Sequence, residues 1–468
     1  MSLNRVYPSI QIAGDPTVSM SSVEKLGAGL SGLGLLFLLV AGFAGQASPI
    51  LFLVLSLGLL SLGGVIFSVE RYLKKRSAGV NNNGVMFAPS TRRSFLTWNL
   101  AILITGFYVL LYWFPGTLEG LIRMVDPISY TIRGKAADQW FLYGTFYTVA
   151  VLVMGFRAIL KYRHNRYQII RTASVMFFQL LLAFLIPAIL IMFQKPEFYF
   201  SYFWPLKYDY FFPGTFDYLE QSGGWGIFMV RWAVVMAFVG VPVLTYFFGK
   251  RWYCSWVCGC GGLAETAGDQ WRQLSDKSMK AWKVERWMIH SVLAFITLTT
   301  ALVWVNTWQG GALLGDLSQG FSKTYGFLIG MAFSGVIGVG FYPVMGARVW
   351  CRFGCPQAAI LGLLQKYFSR FRITTNSAQC ISCGNCSTYC EMGIDVRAYA
   401  QRGENIIRAS CVGCGVCANV CPRGVLSLEN GPTEGRYNQP VLVPESAIMM
   451  PRRGDKKNEE WRERTFTS

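Results

Sequence analysis

Eight long apolar blocks divide the chain, near 26–44, 48–68, 97–115, 141–160, 174–193, 228–249, 288–308 and 325–344. Each runs about 20 residues, the length a helix needs to cross the hydrocarbon of a bilayer. Polar segments bearing Lys and Arg separate most of them. The pattern predicts a polytopic α-helical membrane protein of about eight transmembrane helices, with membrane lipid as its first partner. Only Gln46 and a few small residues part the first two blocks, so a tight hairpin is expected there. The first block follows a polar segment and is long enough to span, so it reads as a membrane helix and not as a cleavable leader.

The polar segments differ in charge. Segments 69–96, 161–173 and 250–287 carry 17 Lys and Arg, whereas 116–140, 194–227 and 309–324 carry 6. The two sets are nearly equal in length, 79 and 75 residues, so the bias is positional. It predicts that the first set faces the cytoplasm, with both termini and the C-terminal cysteines on that side. The expected location is a bacterial cytoplasmic (inner) membrane. Topology also accounts for most of the net charge of +18, so nucleic acid is not an expected partner.

Three features depart from plain spans. The aromatic-rich segment 196–218 is expected to form an interfacial belt at the outer surface, with a quinone or partner-docking surface as the alternative. Arg231, inside the sixth block, is expected to snorkel to the interface. Segment 357–373 sets Lys366, Arg370 and Arg372 among apolar residues, the pattern of an amphipathic helix on the inner membrane surface. Four regions follow. They are N-terminal transmembrane helices over 1–170, a transmembrane core over 171–375, a small α+β ferredoxin-like domain over 376–430, and an unassigned polar tail over 431–468.

All 13 cysteines lie after residue 250, in groups at short fixed spacings, which suits metal ligation and not a disulfide framework. Only two histidines exist, His164 and His290, and no C-x-x-C-H string, so the sole bis-histidine haem would need those two to meet. No nucleotide-binding glycine motif is present, so no NAD site is expected.

Cys380, Cys383, Cys386 and Cys390 follow C-x2-C-x2-C-x3-C, and Cys411, Cys414, Cys417 and Cys421 repeat it before Pro422. Three close thiolates wrap three corners of a [4Fe–4S] cubane, and the fourth corner takes the distant cysteine of the other motif. Cys380, Cys383, Cys386 and Cys421 are therefore expected to hold one cluster, and Cys411, Cys414, Cys417 and Cys390 the other. Structural zinc is the alternative, disfavoured by eight thiols in doubled order. The repeat resembles bacterial two-cluster ferredoxins, except that Glu391 and not proline follows Cys390.

Two strings at the ends of spans share the pattern G-x-R-x-aromatic-C-x3-C. One carries Cys254 and Cys258, the other Cys351 and Cys355, with first cysteines 97 residues apart. The repeat predicts two motifs facing each other across a pseudo-twofold relation. The four cysteines suit a third iron–sulfur or copper site or a redox-active thiol pair, with Cys260 as a spare ligand and Arg251 and Arg348 offsetting the charge. Inert packing is the other reading of these thiols.

In these residues the chain resembles the membrane iron–sulfur proteins related to the nitrous-oxide-reductase regulator NosR and the periplasmic nitrate reductase subunit NapH. Their hallmark is two C-x3-C-P motifs followed by a two-cluster ferredoxin domain. Cys351 to Pro356 matches it, whereas Cys258 is followed by Gly259 and Cys260. The likeness covers roughly 170–425. It implies electron relay between the quinone pool and a respiratory or periplasmic reductase partner, with quinone or quinol as a further ligand. The related copper-oxidase assembly proteins imply the alternative, a copper-handling or metal-reducing assembly factor for a copper-containing respiratory enzyme.

Overall fold

The computed structural model describes residues 20–45, 47–74, 91, 93–311, 314–315 and 317–431. Gln46 and the polar tail beyond Gly431 lie outside the described residues. Seven helices are long and apolar enough to cross a membrane: α1 (Ser22–Ala44), α2 (Pro49–Lys74), α3 (Phe95–Trp113), α4 (Gln139–Lys161), α5 (Arg166–Met192), α6 (Gly224–Phe248) and α7 (Met279–Trp308). Several start where a polar side chain can satisfy free amides at the helix N-terminus. Ser21, Ser94, Asp138, Asn165 and Ser278 cap α1, α3, α4, α5 and α7.

The eighth predicted block is helical over 317–337 (α8), yet it falls short of the seven. Its first turns hold Ser318, Gln319, Ser322, Lys323 and Thr324, which dilute its apolar character. It still runs back along α7. Asn306 Nδ2 donates to Ser318 Oγ at 2.9 Å near one end, and the Phe295 and Tyr325 rings lie 5.4 Å apart further along. Beyond α8, Trp350 and Cys351 cluster with Ile289, near the start of α7. The chain thus returns along most of the length of α7.

α1 and α2 pack through glycines. A Cβ on Gly27 would stand 2.9 Å from the Gly63 carbonyl, so only a small residue allows this approach. Arg71 and Glu24, at adjacent ends of the hairpin, form a buried ion pair at 3.2 Å.

Two expectations are corrected. The aromatic segment is no flat belt. Phe198, Tyr210 and Phe211 are buried against Met229 and Ala233 of α6, and the Phe198 and Tyr210 rings stack at 4.6 Å. Tyr253 Oη donates to the Ser201 carbonyl at 2.9 Å, and Trp204 Nε1 donates to Thr300 Oγ1 at 3.3 Å. The loop therefore enters between helices and reaches the first cysteine string. The segment expected as a surface helix is instead α9 (Pro356–Tyr367), whose Pro356–Ala359 stretch, Leu361, Gly362 and Gln365 are buried in protein. Tyr367 and Phe368 at its end stay exposed.

After α9 the chain forms a two-stranded antiparallel sheet, β1 (Phe371–Thr375) with β2 (Leu426–Asn430), in register Phe371↔Asn430 to Thr375↔Leu426. Ile373 bridges Ile406. The doubled cysteine motif lies between these strands in sequence. The molecule is thus mostly helical, with a small C-terminal sheet region.

Candidate functional site

The doubled motif folds around two cavities. Cys380, Cys383, Cys386 and Cys421 line the first, and Cys390, Cys411, Cys414 and Cys417 line the second. Each brings three close cysteines together with the last of the other motif. Gly384, Gly413 and Gly415 take φ of 79°, 63° and 74°, the left-handed region that lets the loops turn so tightly. The Ile394 amide donates to Cys390 Sγ at 3.4 Å.

The donor set fits a polynuclear iron group. The 13 cysteines are all free thiols. Burial pushes Cys386 and Cys414 up to about 12, and Cys411 to about 11, so these thiols stay protonated at neutral pH unless a metal takes the proton's place. Among the described residues, no three His, Cys, Asp or Glu side chains converge to hold a single metal ion. The eight thiols surround two spaces, an arrangement that suits cubane clusters.

The second cavity faces the membrane core. Tyr167 Oη donates to the Gly413 carbonyl at 2.9 Å, and Gln168 Nε2 to the Cys414 carbonyl at 2.8 Å, both from α5. Gln365 Nε2 of α9 donates to the carbonyls of Arg408 and Cys411, each at 2.8 Å. The first cavity is more open, with Cys380, Cys383 and Cys421 only half-buried and Ile381 exposed beside them.

The two cysteine strings share one geometry. Gly249 and Gly346 open them at φ of 67° and 93°. The amide of Cys258 donates to the Tyr253 carbonyl at 2.8 Å, and that of Cys355 to the Trp350 carbonyl at 3.0 Å, so each C-x3-C turn closes five residues back. In the second, Cys355 caps α9, with Pro356 in the first turn. In the first, Gly259 holds that place, where a Cβ would stand 2.6 Å from Gln179 Oε1 and 2.8 Å from Tyr202 Oη.

Cys254, Cys258, Cys351 and Cys355 are all buried and lie near enough to oppose one another's ionisation. Burial, then Cys258 and Cys351, push Cys254 up to about 12, against the pull of Lys250 and Arg348. The Cys260 thiol lies against Cys258. A Cβ on Gly261 would overlap the Cys254 carbonyl and stand 3.0 Å from Arg348 Nη1. Gly261→Ala is therefore expected to cost about 1–3 kcal/mol of stability, read as a lower midpoint of thermal unfolding in detergent. An unchanged midpoint would contradict this packing.

The two string arginines are not equivalent. Arg348 is buried, with Nη1 3.6 Å from Cys351 Sγ and 3.2 Å from the Cys254 carbonyl. Arg251 turns away and lies over the Phe371 ring at 4.5 Å. Lys250, which the sequence reading passed over, takes its place. It is buried, its amide donates to Gln365 Oε1 at 2.7 Å, and its Nζ donates to the Ala409 carbonyl at 3.2 Å.

Glu391, which stands where the ferredoxin motif carries proline, has partners that the sequence did not reveal. It is fully buried, with carboxylate oxygens 3.0 Å from Arg272 Nη1 and 3.1 Å from Arg348 Nη2. Burial opposes its ionisation, but Arg272, Arg348 and Arg171 outweigh this and hold its pKa below the ordinary value. Arg272 also pairs with Asp269 at 3.1 Å, and Asp269 accepts from Lys161 Nζ at 2.5 Å and Tyr162 Oη at 2.7 Å. Arg348 and Arg171 both pair with Glu265.

The structure does not bring the histidines together. His164 lies against Asn419 of the dicluster region, whereas exposed His290 engages the Arg286 carbonyl of its own helix at 2.6 Å. Arg231 stands exposed on α6.

Two family descriptions match the chain. A 4Fe-4S binding domain matches residues 230–277 and again 327–375, one stretch for each cysteine string. A 4Fe-4S dicluster domain matches 372–422. The chain is 26% identical over 174 residues to YccM of Escherichia coli, named as an electron transport protein, covering 35% of this chain and 46% of YccM. It is 28% identical over 186 residues to the methylamine utilization ferredoxin-type protein MauN of Paracoccus denitrificans, covering 36% of this chain and 60% of MauN. The chain spans about half the length of the curated relatives it matches. No solved structure matches it. The chain thus carries ferredoxin-type 4Fe-4S domains within a multi-pass helical frame, and its partial relatives include a named electron-transport protein.

Proposed function

We propose that this chain is a membrane-bound iron–sulfur electron-transfer protein, relaying electrons between the quinone pool and a respiratory or periplasmic reductase partner. One observation carries this reading. Two four-cysteine cavities lie in a small domain that is hydrogen-bonded to α5 and to α9, the helix capped by Cys355 of the second cysteine string. Cys380, Cys383, Cys386 and Cys421 hold one [4Fe–4S] cluster, and Cys411, Cys414, Cys417 and Cys390 the other. Each bound cluster supplies a reversible one-electron couple. The chain's own groups do the rest. Eight thiolates fix the sites, the Ile394 amide donates to one sulfur, and Arg272 stands 3.9 Å from Cys414 Sγ. Such contacts favour added negative charge.

Cys254, Cys258, Cys351 and Cys355 form a third site, with Cys260 beside it. The 4Fe-4S binding description falls on both strings, which supports iron–sulfur over copper. Resemblance to the NosR and NapH proteins supports quinol as the reductant, with the transmembrane core over 171–375 as the shared part. The Lys and Arg bias supports a cytoplasmic face for the dicluster domain.

Replacing Cys351 or Cys355 by serine is expected to stop quinol from reducing the dicluster domain, while both clusters stay present and reducible by dithionite. Unchanged quinol reduction with unchanged metal content would make these cysteines structural and end the relay reading. Copper in place of iron at this site would favour an assembly factor.

A further inference from the structure

One chain of charges joins the two kinds of cysteine site. From Cys351 Sγ it is 3.6 Å to Arg348 Nη1, and from Arg348 Nη2 it is 3.1 Å to Glu391. From Glu391 it is 3.0 Å to Arg272 Nη1, which stands 3.9 Å from Cys414 Sγ. Arg348, Glu391 and Arg272 are each at most 1% exposed, so water screens these charges little. Ion pairs so buried exact a desolvation cost, which makes their role in stability alone a weak explanation.

Glu391 is the hinge of this arrangement. It belongs to the dicluster region and lines the second cavity, whereas both of its partners belong to the membrane core. Its backbone is held as well, since Ser275 Oγ donates to the Glu391 carbonyl at 2.6 Å. A carboxylate between two arginines tempers the positive field that each turns on a neighbouring thiol.

We propose that Glu391 is a positioning and field-setting residue: it clamps the second cavity onto the membrane core and lowers the reduction potential of the group held there. Its negative charge opposes the arrival of an electron, and Arg272 favours it. Because Arg348 shares the same carboxylate, the charge at the Cys351 site is felt at the Cys414 site through Glu391. This rests on the reading that Cys390, Cys411, Cys414 and Cys417 hold a cluster.

The test is a redox titration of the full-length, anaerobically purified protein, with each cluster followed by its EPR signal. In Glu391→Gln, the reduced-to-oxidised ratio of this cluster at the wild-type midpoint should rise roughly tenfold, equivalent to ~59 mV for one electron. Arg272→Gln should shift it the opposite way. The Cys380, Cys383, Cys386 and Cys421 cluster, away from Glu391, should hold nearly its wild-type ratio in both. Glu391→Asp should restore most of the wild-type value. Opposite signs are the signature that a merely structural role would not give. If E391Q fails to retain the cluster, R272Q and E391D carry the test, and R272Q must still lower the ratio. A wild-type cluster whose potential is unmoved by these changes, or moved the same way by E391Q and R272Q, overturns this proposal alone. Wild-type protein with no such cluster overturns the underlying reading as well.

Discussion

Replacing Arg348 by alanine is expected to be among the most damaging single substitutions in this chain. The guanidinium meets Glu265, Glu391, the Cys254 carbonyl and Cys351 Sγ from a position 1% exposed to solvent. Removing it leaves two buried carboxylates short of a counter-charge, and breaking a buried pair from one side costs about 3–5 kcal/mol. Lysine should rescue poorly, because one ammonium cannot reproduce a planar fork shared among four partners. Arg251→Ala makes the sharp comparison. Arg251 holds the matching place in the other string, yet among the described residues it meets only the Phe248 carbonyl and aromatic rings, and a cation–π approach of this kind contributes about 0.5–2 kcal/mol. Thermal unfolding of the two variants in the same detergent should separate them clearly. Equal losses would mean that the buried network does not hold the fold.

Cys421→Ser is expected to remove the cluster of the other motif. Cys421 sits beside Cys417 in sequence, but it lines the first cavity with Cys380, Cys383 and Cys386. Its loss should therefore take about four iron atoms and leave the second cluster. Cys390→Ser should do the converse. EPR of each variant, alongside iron analysis, reads the assignment directly. If C421S spared the Cys380 group and lost the Cys411 group, ligation would run within each motif.

Much of this was legible in the sequence because it depends on short-range spacing. The apolar block lengths anticipate seven of the membrane helices, and the cysteine spacing anticipates which thiols share a cavity. What escaped depends on partners distant along the chain. Glu391 showed itself only as a missing proline, because its meaning lies in Arg272 and Arg348. The shared pattern made Arg251 and Arg348 look alike, whereas the surroundings decide that one stacks on an aromatic ring and the other is buried among carboxylates. Counting Lys and Arg by loop also concealed a second cause of the bias. Lys161, Arg171, Lys250 and Arg272 are buried cations, three of them paired with carboxylates and Lys250 bonded to a backbone carbonyl. The aromatic loop misled for a similar reason. Its composition suits an interface, but its rings pack on one another and on Tyr253, and no local pattern announces such a turn inward.

On the function proposed above, this membrane chain carries ferredoxin-type clusters on the eight cysteines of its C-terminal domain. The most direct test is iron and sulfide analysis of the intact, anaerobically purified protein, compared with a variant in which all four junction cysteines are serine. The variant should retain about eight iron atoms per chain, and dithionite should elicit two interacting EPR signals. Well under eight iron atoms in wild-type protein purified without oxygen, or zinc in their place, would contradict it.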